Sequence, residues 1–591
     1  MPDPEPRLYT CPMTWKIRQK LRALLEAETS LRPGARGRGG QLAVCLVYPN
    51  SYQTAMSSLG FQTVFGLLAE SPGIICERAF LPDREDLGEY RRSGTTLLSL
   101  EGQRPLSDFD VIAFSTSFEP DYLHIPLMLE LARIPLAASA RIDADPLVIA
   151  GGAAFFINPE PVADFLDVVC IGEGEELIPL LVSCLMSPQQ GGRAGLLSAL
   201  SALPGFYVPG LYRPRYDAEG RPAGFDSAPG APLPVARACP ALERYRPAAS
   251  QILTGNTEFG DMFLVEVSRG CPRGCRFCSA GFIYGPFRQQ PFENVRAVVD
   301  EGLARRSKIG LVGAAVSDYR DIGRLCSYIV GKGGKVSVSS LRIDRLDSAM
   351  LDALTTSGHK TLSLAPEGGS QRLRDLIRKN LSETQILDAC DLLISRDILN
   401  LKLYFIIGLP TETGDDLDEL LRLVEAIRER VLERARANKR IGEIVLSVNP
   451  FIPKPFTPFQ WCGMEPLTSL ERKVKLLETA VRGMPNVRLK VESLRESYLQ
   501  ALLCRGDRRL SGMLAAMAAG SSLKKAVKQC GIDTDGYVCR DIPEDAILPW
   551  SVIGTADMGL LRKEYERAIG EGKFKKLSTK STKCTNKNET D

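Results

Sequence analysis

The stretch that decides the architecture is Phe263-Leu264-Val265-Glu266-Val267-Ser268-Arg269-Gly270-Cys271-Pro272-Arg273-Gly274-Cys275-Arg276-Phe277-Cys278. An apolar run passes straight into a Gly/Arg-rich turn whose three cysteines are spaced C-x3-C-x2-C. Ferredoxin-type runs hold a four-iron cluster with four thiolates. Three thiolates this close can hold three irons and leave the fourth open to a small ligand, so an electron store becomes a reaction site. Zinc is the competing reading. Structural zinc takes four ligands, the chain has only two histidines, His124 and His359, and a cysteine from elsewhere would have to complete the set.

Downstream of the turn, apolar runs recur at Ile309–Val312, Lys335–Ser339, Thr361–Ala365, Lys402–Ile407, Glu443–Val448 and Val487–Val491, with helical segments between them. About six βα units predict a partial TIM-like barrel, in which chemistry gathers at the carboxyl ends of the strands. Those ends carry Ser339-Ser340-Leu341-Arg342, Ala365-Pro366-Glu367-Gly368-Gly369-Ser370, Ile407-Gly408-Leu409-Pro410-Thr411-Glu412-Thr413 and a stiff Pro-rich turn from Asn449 to Phe459. Leu417, Leu420, Leu421, Val424, Ile427, Val431 and Leu432 recur at three-four spacing, which predicts an amphipathic helix over Thr413–Arg440 that clads the barrel.

Upstream, a first α/β series starts at Gln41. Apolar runs at Leu42–Val47, Gly73–Glu77, Val111–Ser115, Leu147–Ala150 and Val168–Ile171 alternate with helix-compatible segments, which predicts a parallel sheet covered on both faces. The runs end in Tyr48-Pro49-Asn50, Ser115-Thr116-Ser117, Gly151-Gly152 and Gly172-Glu173-Gly174-Glu175. Ligands of open α/β sheets bind beyond the carboxyl ends of strands, so Ser115, Thr116, Gly151, Gly152 and Glu173 are expected to rim one pocket.

Cys271, Cys275 and Cys278, with Phe277 before the last, resemble the signature of the radical S-adenosylmethionine (SAM) superfamily. The resemblance implies a [4Fe-4S] cluster whose open iron binds the amino and carboxylate groups of SAM. Reductive cleavage of that cofactor then starts radical chemistry on a substrate. It also places Phe277 near the adenine, and Arg342, Glu367 and Ser370, with Ser339 at the neighbouring strand end, around the ribose and methionyl ends. A carboxylate suits an ammonium or ribose hydroxyls, and a guanidinium suits a carboxylate. The block from Val47 to Glu175 is similar to the cobalamin-binding domain that precedes many such barrels, which makes cobalamin a further implied cofactor. The Asp-x-His-x-x-Gly motif that supplies an imidazole to cobalt is absent, and a structural or substrate-binding module is the alternative.

The expected fold is therefore α/β: an N-terminal helix and linker (1–40), a doubly wound Rossmann-like, cobalamin-binding-like domain (41–250), a partial TIM-like (β/α)6 radical SAM barrel (251–491), a C-terminal helical region (492–570) and a basic tail (571–591). At 591 residues, 44% hydrophobic and 25% charged, the chain has the composition of a soluble multidomain protein, and its net charge of +3 does not indicate nucleic acid. No apolar run approaches bilayer length. The start, Met1-Pro2-Asp3-Pro4-Glu5-Pro6, lacks the layout of a secretory signal. A reducing cytoplasm and an electron donor such as flavodoxin or ferredoxin are expected. Arg269, Arg273 and Arg276 are candidates for stabilising the reduced cluster or holding a ligand carboxylate. Three functions stand open: radical SAM chemistry, including cobalamin-dependent methyl transfer to an unidentified substrate; methylthiolation of RNA or protein; and non-catalytic electron transfer or cobalamin sensing. The second wants three further N-terminal cysteines in a cluster, whereas Cys45, Cys76 and Cys170 are dispersed within strands.

Overall fold

The computed structural model describes residues 12–31, 41–187, 190–339, 341–438 and 440–580. Two parallel α/β bodies form the molecule. The first sheet contains β1 (Leu42–Tyr48), β2 (Ile74–Phe80), β3 (Val111–Ser115), β4 (Leu147–Gly151), β5 (Val168–Cys170) and β6 (Phe206–Tyr207), in the order β2-β1-β3-β4-β5-β6. The first five are parallel and β6 is antiparallel. Both faces of β1 are dry: Val44 and Leu46 enter one apolar core, Cys45 and Val47 the other. That is why these strands read as unbroken apolar runs. The order changes direction between β1 and β3, which opens a crevice at their carboxyl ends.

The second body has seven parallel strands rather than six. β7 (Phe263–Glu266), which delivers the cysteine turn, pairs with β8 (Lys308–Val312), and β8 with β9 (Lys335–Val338). β10 (Thr361–Glu367), β11 (Asn400–Ile407), β12 (Ile444–Pro450) and β13 (Val487–Val491) form a separate four-stranded ladder. Among the described residues no ladder joins β9 to β10, so the barrel consists of two arcs. The cladding helix spans Gly414–Asn438, with Leu417, Leu420, Val424, Ile427 and Val431 buried.

The C-terminal helices do not stand apart. Asn158 Nδ2 donates to the carbonyls of Cys504 (2.9 Å) and Gly506 (2.7 Å), and Arg508 pairs with buried Glu160 (2.9 Å). Val235–Ala236 forms a two-residue parallel ladder with Ile553–Gly554. The last helix, Met558–Lys580, continues past the expected end near Ile569 into the segment read as tail; residues 581–591 and the Arg/Gly stretch 32–40 lie outside the described residues. No described helix is long and apolar enough to cross a membrane.

Candidate functional site

The cysteine turn leaves β7 through Gly270, whose φ of 82° lies in the left-handed region. A Cβ there would meet the Tyr284 carbonyl at 2.6 Å, and one on Gly281 would meet the Arg273 carbonyl at 2.6 Å. Glycine is therefore required where the backbone doubles back on itself. Cys271, Cys275 and Cys278 are all half-buried. Burial pushes the Cys278 thiol up to about 12, with Cys275 and Cys271 adding to the shift. Burial also raises Cys275, opposed by the positive charges of Lys379 and Arg342. Thiols in this position need a bound cation to become thiolates. Among the described residues no group of three or more His, Cys, Asp or Glu converges as a single-ion site.

The ends of β9 and β10 bring the anticipated partners to this turn. Arg342 and Glu367 both act electrostatically on Cys275. Glu367 closes β10 with a φ of 66°, an uncommon conformation for a residue with a side chain. Its carboxylate accepts from Lys379 Nζ at 3.3 Å. Arg342 is held by Asp344 (2.7 Å) and Asp318 (3.3 Å). Ser339 is exposed and its hydroxyl donates to the Gly313 carbonyl at 3.1 Å. Phe277 is half-buried and packs against the large core. Ser370 differs from the expectation. It is 1% exposed, caps the helix Gln371–Leu376 by accepting from the Leu373 amide, and donates to Asp416 at 2.5 Å. Its hydroxyl has both a donor and an acceptor role already filled.

The three arginines of the turn are likewise engaged. Arg269 pairs with Glu173 (2.6 Å), Glu175 (2.8 Å) and Glu266 (2.7 Å). Arg273 pairs with Asp318 at 3.0 Å, and Arg276 with Glu564 of the last helix at 3.2 Å. They fasten the turn to three different elements. Lys379, Asp318, Asp344 and Glu564 were not visible as site residues in the sequence. The cue was Asp344, two residues beyond Arg342 and able to fork onto it.

On the other side of Gly270 lies a cavity of about 390 Å³. Its floor is one face of the first sheet, with Val44, Leu46, Val111, Ala113 and Ile149. Its roof is the pair of helices Leu59–Glu70 and Gly174–Met186. Ser115, Gly151, Gly152 and Glu173 line it as expected, and Gly270 and Gly313 close the end facing the cysteine turn. Thr116 is fully buried behind this rim, and its Oγ1 has no hydrogen-bond partner. Gly152, at φ 110°, lies so close to the Thr116 carbonyl that no Cβ fits. Glu173 rims the cavity, but its carboxylate is held by Arg269, by Arg288 (2.5 Å) and, farther off, by Arg237 (3.6 Å). It therefore clamps the two bodies together. His124 is not among the lining residues, and its Nδ1 bonds the Pro49 carbonyl at 2.8 Å.

Residues 60–209 match the family model for the N-terminal region of radical SAM proteins, and residues 265–424 match the model of the radical SAM superfamily. An uncharacterized protein of Methanocaldococcus jannaschii is 28% identical over 488 residues, which is 82% of this chain and 94% of that protein. A tRNA-2-methylthio-N(6)-dimethylallyladenosine synthase of Alkalilimnicola ehrlichii is 26% identical over 209 residues. That match spans 32% of this chain and less than half (44%) of the synthase. Among solved structures, the radical SAM methyltransferase TsrM from Kitasatospora setae aligns over 91% of this chain and 99% of its own at 12% identity and a TM-score of 0.44. The cobalamin-dependent radical enzyme OxsB aligns over 93% of this chain and 82% of its own, also at 12% identity and a TM-score of 0.44. The cysteine turn falls inside the second matched model and the cavity's strands and helices largely inside the first, so the chain belongs to the radical SAM superfamily and is an enzyme of that class.

Proposed function

We propose that Cys271, Cys275 and Cys278 hold a [4Fe-4S] cluster with one iron left for SAM, and that the enzyme cleaves SAM reductively to start radical chemistry. The observation that carries this reading is that Arg342, Glu367 and Lys379 all act electrostatically on Cys275 of the three-cysteine turn, with Lys379 also paired to Glu367. The donor set fits: three thiols, no fourth cysteine in the turn, and cations to offset the thiolate charge. When held by these cysteines, the cluster would supply one electron to the sulfonium. The chain's own residues then position the nucleotide. Glu367, fixed in its uncommon backbone conformation and bonded to Lys379 through Oε1, offers its other carboxylate oxygen to the ammonium or ribose hydroxyls, and Arg342, held by Asp344 through Nη2 and by Asp318 through Nε, offers Nη1 to the carboxylate. Exposed Ser339 borders the same space. Phe277 presents an apolar edge to the adenine while packing the turn onto the core. The electron comes from a reductant such as flavodoxin or ferredoxin in a reducing cytoplasm. Arg378, 45% exposed, lies against Gly274 of the turn.

The cavity beside Gly270 supports cobalamin as the second cofactor, in a doubly wound domain of cobalamin-binding type. An apolar slot between the sheet and the helices that follow β1 and β5 fits a flat heterocycle. The crevice between β1 and β3 is where such sheets take their ligands. Cobalt would receive no imidazole from the cavity lining, because His124 stands outside it. When bound, the corrinoid supplies a transferable methyl group, so methyl transfer to an unreactive carbon is the reaction this pairing favours. Methylthiolation is less well supported. Cys45 and Cys76 are buried on neighbouring strands β1 and β2, and Cys170 sits on β5 across the sheet, so they do not form a second three-thiol site.

The test is anaerobic reconstitution with iron and sulfide, followed by SAM and a strong reductant. The wild type should release 5′-deoxyadenosine. Cys275→Ala should lose that release entirely, together with the cluster's absorbance and electron paramagnetic resonance signals. A zinc-loaded protein, or a cluster ligated on all four irons by the chain, would refute the reading. Corrin absorbance in material purified from cobalamin-supplied cells tests the cavity separately.

A further inference from the structure

The four-stranded arc presents a face that the reading above leaves without an occupant. Along β11 the buried residues Leu401, Leu403, Phe405 and Ile407 alternate with half-buried Lys402, Tyr404 and Ile406. The first set belongs to the large core, so the second set points into the barrel. Strand register carries that face across the arc. Ser363, Lys402, Val445 and Arg488 lie side by side on β10 to β13, and Tyr404, Ser447 and Lys490 form the next row. A parallel barrel normally fills its interior with layers of bulky branched residues. Here hydroxyls and long cations occupy most of those positions, with Val445 between Lys402 and Arg488.

The charges on this face are unbalanced. Arg488 pairs with Glu443 at 3.1 Å, and Glu367 at the top of the face is taken by Lys379. Lys402 Nζ lies 4.5 Å from the Tyr404 ring centroid, and neither Lys402 nor exposed Lys490 has a carboxylate partner among the described residues. The facing arc adds more positive charge, since Lys308 sits directly opposite Lys335. Like charges in register oppose each other unless an anion lies between them.

We propose that the inner face of β10 to β13 holds an anionic, phosphate-bearing part of the substrate, with Lys402 and Lys490 as its ligands. This rests on the radical SAM reading, because it places the other end of the substrate beneath the cysteine turn. Strands two apart are about 10 Å apart. Two lysine side chains reaching inward from β11 and β13 can therefore meet on a diphosphate-sized group, and Lys binds phosphate as a point charge.

Calorimetric titration of the reconstituted, SAM-loaded full chain with inorganic pyrophosphate tests this. The wild type should bind, with an affinity that falls as sodium chloride rises from about 50 to about 200 mM. Lys402→Gln combined with Lys490→Gln should bind at least about tenfold more weakly, a difference of about 1.4 kcal/mol. The Lys402→Arg, Lys490→Arg pair should retain binding, and Lys524→Gln with Lys525→Gln on a distant helix should match the wild type. No binding by the wild type, or equal binding by the glutamine pair, overturns the proposal. 5′-Deoxyadenosine release is measured on the same preparation. Release without pyrophosphate binding refutes the anionic face and leaves the radical reading standing. Salt-sensitive, lysine-dependent binding without release supports the anionic face and overturns the radical reading instead.

Discussion

The two sheets use the same strand–helix grammar and end in opposite kinds of interior. In the first body, β1 from its third residue on is buried whichever face a residue points to, and the cavity described above is an apolar slot between sheet and helices. In the second, β11 alternates buried and half-buried residues along its whole length, and the half-buried ones are Asn400, Lys402, Tyr404 and Ile406. A strand buried on both faces has no polar position to spare, so the first body can bind a ligand only beside its sheet or at its strand ends. A strand with period-two alternation keeps one face for something other than its own core. The contrast separates a body whose described cavity is apolar from one that keeps a half-buried, polar strand face before any ligand is considered.

Buried charge joins the two bodies, and the largest structural effect is expected there. Glu173, at the end of β5, is gripped by Arg269 and Arg288 from the barrel side. Glu173→Gln would leave Arg288 without its carboxylate in a buried setting, and breaking such a pair destabilises by about 3–5 kcal/mol. The expected result is a lower urea midpoint together with broadened cluster signals, since Arg269 is two residues from Cys271. An unchanged midpoint would mean the bodies are joined by apolar packing alone. By contrast, Arg215→Ala on the exposed pair with Asp226, where both side chains are more than half exposed, should stay within about 0.5 kcal/mol.

A smaller effect of opposite sign is expected at the crevice between β1 and β3. Burial pushes the Asp121 carboxyl up to about 6, against the Asn50 amide that donates to it at 2.7 Å. An acid whose folded value lies above its unfolded one binds more protons in the folded state between the two. Stability therefore rises as pH falls through about 6 and is lowest above it. Asp121→Asn removes that penalty and should stabilise the protein by about 2 kcal/mol at pH 7.5, with the gain shrinking toward zero near pH 4. A gain that does not vary with pH would show that the carboxylate is not the source of the strain.

The strand starts, the cysteine turn and the cavity rim were legible because each depends on local pattern: apolar runs, Cys spacing, and Gly or Ser after a strand. What was not legible depends on partners far along the chain. Glu173 reads as a pocket residue until Arg269, Arg288 and Arg237 are seen around it, 64 or more positions away in sequence. The engagement of Arg276 by Glu564 spans 288 positions. The return of the C-terminal helices onto Asn158 and Glu160 was invisible for the same reason.

Ser370 gives the mildest and most discriminating test of what resemblance alone can assign. By likeness it belongs with Arg342 and Glu367 around SAM, whereas the structure has it capping a helix and donating to buried Asp416. Ser370→Ala should cost about 1–2 kcal/mol, the sum of a lost cap and a lost hydrogen bond to a charged group, moderated because Arg372 and Thr413 still hold Asp416. Ser370→Thr should restore most of it, since threonine also caps. SAM affinity, measured by equilibrium dialysis, should stay within about twofold of the wild type, while Glu367→Gln, which alters a carboxylate facing the thiols, should weaken it about tenfold or more. If Ser370→Ala instead weakens SAM as Glu367→Gln does, with stability intact, then the hydroxyl swings from Asp416 to the nucleotide when SAM binds. The pairing with Asp416 would then be a resting position of the site.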